Sequence, residues 1–381
     1  MQRHVLEARA DWQGKVEGLG FLWHTADGMP YWSENACYAF NGQEAERIGQ
    51  ASEELYRLFL AAGEDVIRHR RYREFGIPEW CAPLIESTWE AEPPALNYGR
   101  FDLGIDADGR IKLFEFNCDT PTSLVEASVV QWFWKEEVFP EKGQFNAIHE
   151  ALIERWRAIA PNLPGGRVHF AHVPDRVGED TLTTAYMMDL AAQAGLATQR
   201  LSMREIGWKA GPDGGFVDMA AQPITALYKL YPWEWLIAEP FGRHIAQDPA
   251  NTLWLEPVWK LIWSNKAILP VLWNLFPDHP NLLWAGYDAP GNGSYVRKPI
   301  LGREGGNVTV VRNGQVVDQT GGNYTGPAVC QAFLDLPAFD GHYPVIGAWL
   351  VDGAGVGMGI REGGRITTNR DRFVPHIIEM P

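Results

Sequence analysis

Two carboxylates and an amide, Asp102, Glu115 and Asn117, stand on either side of the tetrapeptide Asp106-Ala107-Asp108-Gly109. Oxygen ligands of this kind suit magnesium, which takes a few protein oxygens and fills its other positions with water and substrate phosphate. The tetrapeptide is a strong turn, and the flanking segments, Arg100 to Ile105 and Arg110 to Asn117, alternate as strands do, so a hairpin is expected. With Ile105 opposite Arg110, Asp102 faces Leu113 and Arg100 faces Glu115. Alternation then puts Phe101, Leu103, Ile105, Phe114 and Phe116, with Lys112, on one face, and Arg100, Asp102, Glu115 and Asn117, with Ile111 and Leu113, on the other. Two further readings of the same residues stand beside the metal site. One is a solvated polar face with Arg100 and Glu115 as a cross-strand ion pair. The other is a glycosidase-like carboxylate pair, with the many tryptophans as sugar platforms.

The elements that must position this hairpin are legible in outline. The first hundred residues read as helical, with an amphipathic stretch from Gln43 to about Arg73. After the hairpin, Asp119-Thr120-Pro121 offers a cap and a proline suited to starting a helix over Thr122 to Lys135. From Arg167 the texture is α/β: strand Val168 to His172, helix Asp180 to Ala194, strand Ala197 to Leu201, and a third strand at Ile224 to Lys229. Glu256 to Leu275 reads as helix. After Gly291-Asn292-Gly293 the chain turns to β, with strands Tyr295 to Ile300, Val308 to Arg312 and Gln315 to Gln319, the last two joined by an Asn313-Gly314 turn. Pro344 to Val351 and Gly355 to Arg361 are the last strands expected.

At 381 residues with 46% hydrophobic and 12% aromatic content, the chain can bury a large core, so disorder is excluded for most of it. A net charge of −15 works against nucleic acid and anionic lipid as partners. The four cysteines contain no CxxC pair and favour a reducing compartment. Neither a signal peptide nor an apolar run of spanning length is seen, so a cytoplasmic protein without membrane contact is expected.

Tyr98-Gly99-Arg100-Phe101-Asp102, followed by Phe114-Glu115-Phe116-Asn117-Cys118-Asp119-Thr120-Pro121-Thr122-Ser123, resembles the central signature of the glutathionylspermidine synthase family. Further blocks follow the family's order: Pro30-Tyr31-Trp32, Tyr231-Pro232-Trp233-Glu234-Trp235, Glu256-Pro257, Ser264-Asn265-Lys266, Arg297 to Gly305 and Ile346-Gly347-Ala348-Trp349-Leu350. The resemblance implies an α/β chain with an ATP-grasp fold, in which two α+β subdomains clamp ATP, preceded by a pre-ATP-grasp α/β portion. It implies one synthetase-like unit over 1–381: a helical part at about 1–95, the metal-site hairpin and helix at 96–145, the pre-ATP-grasp-like part at 160–245 and the nucleotide-clamping part at 250–381. The activity implied is ATP- and magnesium-dependent joining of a small carboxylate, glutathione or peptide-like, to a polyamine-like amine through an acyl phosphate.

Carried over by position, Asp102, Glu115 and Asn117 would bind Mg2+, and Arg100 would bind the reacting carboxyl and the transferred phosphoryl. Lys266 and Lys298 resemble the family's ATP-binding lysines, and Arg303-Glu304-Gly305-Gly306 resembles its phosphate-covering loop, whose glycines permit close backbone approach. Gln331 falls where the family contacts adenine. Thr120, Thr122 and Ser123 would hold the carboxylate substrate or serve as helix caps. Glu179 and Asp180 resemble the acidic pair that meets the peptide substrate, or else favour a helix N-terminus.

The chain starts directly in the synthetase-like region, so the amidase domain of the bifunctional members, and product hydrolysis with it, is not expected. The Asp119 to Ser123 stretch differs from the characterised synthetases, which leaves the substrate pair open. A second expectation is an ATP-grasp nucleotide-binding protein without glutathionylspermidine synthase turnover. His169 and His172 point to opposite faces of a strand and read as structural. Cys118 reads as a small buried hydrophobe, and the tryptophans from Trp254 through Trp284 as core.

Overall fold

Asn41 begins a 27-residue helix, Gly42–Arg68, through a reciprocal cap: the Glu44 amide donates to Asn41 Oδ1 and the Asn41 amide to Glu44 Oε2, each at 2.9 Å. Its buried stripe, Ile48, Leu55, Phe59, Ala62 and Val66, follows helical spacing and faces the main core. This is a computed structural model, and it describes residues 1–26, 28–212, 214–248, 252–291 and 293–379. Asn292, inside the expected Gly291 to Gly293 turn, lies outside the described residues.

The architecture is mixed α/β, as expected from the sequence. One antiparallel five-stranded sheet runs in the order Arg372–Val374, Ala354–Gly363, Tyr343–Val351, Tyr98–Ile105, Ile111–Asn117. The site hairpin therefore shares a sheet with the C-terminal strands. A second antiparallel sheet, here the lysine sheet, runs Ala285–Gly286, Ala328–Ala332, Tyr295–Pro299, Thr309–Arg312, Gln315–Gln319. A parallel four-stranded sheet runs Leu253–Leu255, Ala226–Leu230, Arg167–His172, Ala197–Ser202, with the helix Glu179–Gln193 as a crossover.

Several expectations need correction. The first hundred residues are not all helical: Gln2–Val5 and Ala36–Asn41 are strands that pair with each other, and Ala36–Asn41 also takes His376–Glu379 from the far end of the chain. These strands are short and complete their sheet only through that distant partner, so no local pattern marks them. The expected helix from Glu256 to Leu275 breaks into Lys260–Trp263 and Ile268–Leu275. At the break Asn265 turns its side chain to the backbone, accepting from the Ala267 amide and donating to Phe75 O.

The third correction concerns the hairpin register. Ile105 pairs with Ile111, not Arg110, and a bulge between Asp102 and Leu103 leaves Phe114 unpaired, so that Asp102 lies opposite Glu115 and Arg100 opposite Asn117. Ile111 and Leu113 thereby join Phe101, Leu103 and Phe116 in the core, while Lys112 moves to the polar face. The slip restores a fully apolar inner face, on which Phe101 and Phe116 stack 3.9 Å apart. Burying either ring is worth about 2–3 kcal/mol. Among the described residues no helix is long and apolar enough to cross a membrane.

Candidate active site

The hairpin's outer face begins with Arg100, whose Nε and Nη2 donate to the two oxygens of Asp102 at 2.7 and 3.2 Å, while Nη1 donates to Thr122 O at 2.5 Å. Both residues are 5% exposed, so this pair sits away from bulk water, where charge interactions are strong. Arg361, from the strand Ala354–Gly363, gives Asp102 a second cation at 2.6 Å. Room for Arg100 comes from Gly347 on the adjacent strand: a Cβ there would lie 2.7 Å from Arg100 Cδ. Arg361 and Gly347 were not singled out from the sequence as site residues. Gly347 left a trace as a glycine within an otherwise apolar strand.

Glu115 meets Lys266 at 2.9 Å and accepts from Asn117 Nδ2 at 3.3 Å. Burial pushes its carboxyl up, but Lys266 and Lys298 outweigh that and hold it down at about 2. Lys266 stands in the break between the two short helices rather than on a helix face, with Nζ donating to Gly302 O at 2.7 Å. Lys298 arrives from the lysine sheet, and its Nζ donates to Gln331 Oε1 at 2.7 Å and to Phe114 O at 3.3 Å. Gln331 in turn donates to Leu113 O at 2.9 Å. The Leu113 and Phe114 carbonyls at the hairpin bulge thus accept from side chains of the second sheet. Burial lowers the Lys298 ammonium to about 8.

The structure also brings the glycine-rich loop here. Arg303 donates to Glu234 through Nε and Nη2, at 3.0 and 2.5 Å, and to Thr120 Oγ1 at 3.1 Å. Gly305 has φ +68° and passes so close to Thr367 that a Cβ would lie 2.3 Å from its carbonyl oxygen. Glu304 accepts from Asn369 Nδ2. Thr122 contributes its carbonyl to Arg100. Ser123, at φ +62°, contacts the Tyr31 hydroxyl at 3.2 Å. The helix expected from Thr122 opens instead at Leu124 with a π-helical turn, Glu126–Val130.

That turn carries Glu126, which was not singled out from the sequence. It is fully buried; Oε1 accepts from Trp23 Nε1 and the Tyr31 hydroxyl, each at 3.0 Å, while Oε2 has no partner among the described residues. Burial raises its carboxyl against the pull of those donors and Arg100. Glu179, at the start of its helix, is pushed up to about 8 by burial, then by Glu126, Asp180, Asp175 and Glu304. Asp180 rises to about 6 for the same first reason. An acidic cluster therefore lies beside the arginine end of the site. Its parts come from three distant segments, which is why a linear reading finds Glu179 and Asp180 but not Glu126.

The family model for the glutathionylspermidine synthase preATP-grasp region matches residues 3–379. The chain belongs to the glutathionylspermidine synthase family. Membership places it among ATP-dependent carbon–nitrogen ligases. Relatives in this glutathionylspermidine synthase group include a Haemophilus influenzae protein described as "Putative acid--amine ligase", 38% identical over 97% of both chains. Trypanothione synthetase of Crithidia fasciculata is 32% identical over 84% of this chain and 52% of its own length. The bifunctional glutathionylspermidine synthetase/amidase of Escherichia coli is 29% identical over 83% of this chain and 55% of its own. The chain thus spans about half the length of these last two.

Among the described residues, the histidines and Cys118 stand apart from this site. His169 lies 3.7 Å from Asp218 and His172 bonds Thr181, so the two histidines serve different contacts. Burial pushes the Cys118 thiol up to about 12, leaving it neutral beside Ser264. Among the described residues no three carboxylate, imidazole or thiol groups come together as a metal site. A cation at the hairpin would depend on the Asn117 amide and on substrate oxygens as well as two carboxylates.

Proposed function

We propose that this chain forms an amide between a peptide-like carboxylate and a polyamine-like amine, driven by ATP. The observation that carries the reading is the convergence of Arg100, Asp102, Glu115, Lys266 and Lys298 on one hairpin face between two antiparallel sheets. In this reading the carboxylate oxygen attacks the γ-phosphorus, ADP leaves, the amine nitrogen attacks the acyl carbon, and phosphate departs as the amine loses a proton. Arg100 orients the carboxylate and offsets the charge that develops on the phosphorylated group. Lys266 and Lys298 hold nucleotide phosphates, Gln331 meets the base, and Arg303, Glu304 and Gly305 cover the phosphates.

Asp102, Glu115 and Asn117 fit a magnesium ion by chemistry, being hard oxygen donors on neighbouring strands with Glu115 kept ionised, and when bound the ion would supply charge to the phosphates. Thr120, Thr122 and Ser123 border the carboxylate end. Glu179, with Glu126 and Asp180, receives the ammonium groups of the amine, the cluster gaining negative charge as Glu179 ionises above its raised value of about 8. The relatives named for trypanothione and glutathionylspermidine support this pair of substrate classes. In the working division, 250–381 and the hairpin at 96–145 clamp the nucleotide and 160–245 supports the acidic cluster.

The test is ADP release by purified protein with magnesium and ATP across panels of small peptides and polyamines. Release that needs both a carboxylate and an amine, and that Arg100→Ala lowers by a factor on the order of 100 while nucleotide still binds, is the expected result. Nucleotide binding without release on any pair would leave a binding protein and sink the ligase reading.

A further inference from the structure

The Tyr231 to Trp235 block is conspicuous in the sequence, yet the proposed chemistry gives it no task. The structure shows it pinned from several sides. Lys229 Nζ donates to Tyr231 O at 2.9 Å and to Asp119 Oδ1 at 2.6 Å, while the Trp233 amide donates to Asp119 Oδ2 at 2.7 Å. Trp233 Nε1 reaches Glu256 O at 3.0 Å. Lys229 and Asp119 are almost wholly buried, so the segment is fixed to the chain two residues beyond Asn117.

From this base Glu234 and Trp235 reach the glycine-rich loop. A single Glu234 oxygen accepts from both Nε and Nη2 of Arg303, and the guanidinium lies 5.6 Å from the Trp235 ring. Nη1 of the same guanidinium goes to Thr120, so Arg303 bridges the loop to the strand end that bears the site. Other holds on the loop, Lys266 on Gly302 O, Thr320 on Gly305 O and Asn369 on the Glu304 carboxylate, come from its own half of the chain. Arg303 is its tie to the Tyr231 to Trp235 block.

We infer that Glu234 is a positioning residue: acting through Arg303, with Trp235 against the guanidinium, it sets the glycine-rich loop at the height the nucleotide phosphates require. This rests on the proposed function, in which the loop covers those phosphates. Removing the charge while keeping the shape, as in Glu234→Gln, weakens a charge-assisted contact and leaves the buried Lys229–Asp119 base in place.

The experiment has two independent readouts. Amide hydrogen exchange across residues 302–306 of the unliganded protein should quicken roughly tenfold in Glu234→Gln. The KM for ATP should rise by about the same factor, with kcat changed far less, and Glu234→Asp should recover part of both. Asp335→Asn, which breaks the exposed Arg312 pair on the lysine sheet, serves as the control and should move neither. Unchanged loop exchange in Glu234→Gln overturns the inference whatever the enzyme does with ATP. Quickened exchange with no nucleotide binding in the unmodified protein leaves the clamp standing and instead removes the proposed function. A fall in kcat and thermal midpoint together, without a KM change, marks Glu234 as merely structural and also overturns it.

Discussion

Glu179 shows how a site residue takes its behaviour from its neighbours. Burial and the surrounding carboxyls of Glu126, Asp180, Asp175 and Glu304 raise it to about 8, while the cations nearby act elsewhere, Arg100 on Glu126 and Arg303 on Asp180. Below that value Glu179 is largely protonated and offers an ammonium group little attraction; above it the carboxylate forms. An aliphatic amine, with a pKa of about 10.4, is still charged there. Amine affinity should therefore strengthen by up to roughly tenfold as pH rises from 7 to 9. Calorimetric titration of a polyamine into Glu179→Gln should lose that rise, and an unchanged slope in the variant would remove Glu179 from the amine site. Sequence could name this residue because Glu179 and Asp180 resemble the family's acidic pair near a helix start. It could not name Glu126, whose exposure to the site depends on a π-helical turn that no spacing rule announces.

At the scale of elements, the strand Tyr343–Val351 is as much a part of the site as the hairpin beside it. Gly347 lies opposite Asp102, and the Arg100 side chain crosses the space its missing Cβ leaves. Arg100 is held at both ends, by Asp102 and Thr122 O, and has little freedom to yield. Gly347→Ala should thus displace the guanidinium and cost turnover a factor on the order of 100, with overpacking costing only about 1–3 kcal/mol of stability. Steady-state rates beside a thermal melt distinguish these, and full turnover in a folded variant would show that Arg100 does not need that position.

The same sheet marks how far local pattern carries. Alternation and a strong turn revealed the hairpin and grouped Arg100, Asp102, Glu115 and Asn117 correctly. The register escaped because the bulge shows only as a change of parity, with apolar residues at 111 and 113 and then at 116. Lys266 was found by its surroundings in sequence, yet the helix break that presents it is made by Asn265 bonding to Phe75, 190 residues away.

For the whole molecule, the first and last strands flank one strand, Ala36–Asn41, on its two sides. His376, from the last strand, is fully buried; Nε2 accepts from the Phe145 amide and Nδ1 faces Gln131 Oε1, so the ring is neutral with its proton on Nδ1. Burial holds it at about 3, below the value of about 6.5 expected for the unfolded chain. The stabilisation it confers is complete above about pH 6.5 and is lost as pH falls from there toward 3, because the unfolded chain takes the proton first. Between pH 6.5 and 5 this single group should cost about 1.5 kcal/mol. Urea midpoints across that window should fall less steeply in His376→Gln, and parallel slopes would place the acid sensitivity elsewhere. Nothing near residues 36–41 could foretell that their sheet is completed from 376–379, since that pairing spans most of the chain.

The bulge at Phe114 has a consequence for water. The Phe114 carbonyl and that of Leu113 beside it accept from Lys298 and Gln331, side chains of the opposite sheet. Any motion that parts the sheets strips both oxygens at once, and a bare carbonyl in a closed interior is costly. Parting the two sheets is therefore a hydration event: solvent must enter to replace a lysine and a glutamine, and must leave again before the sheets can close.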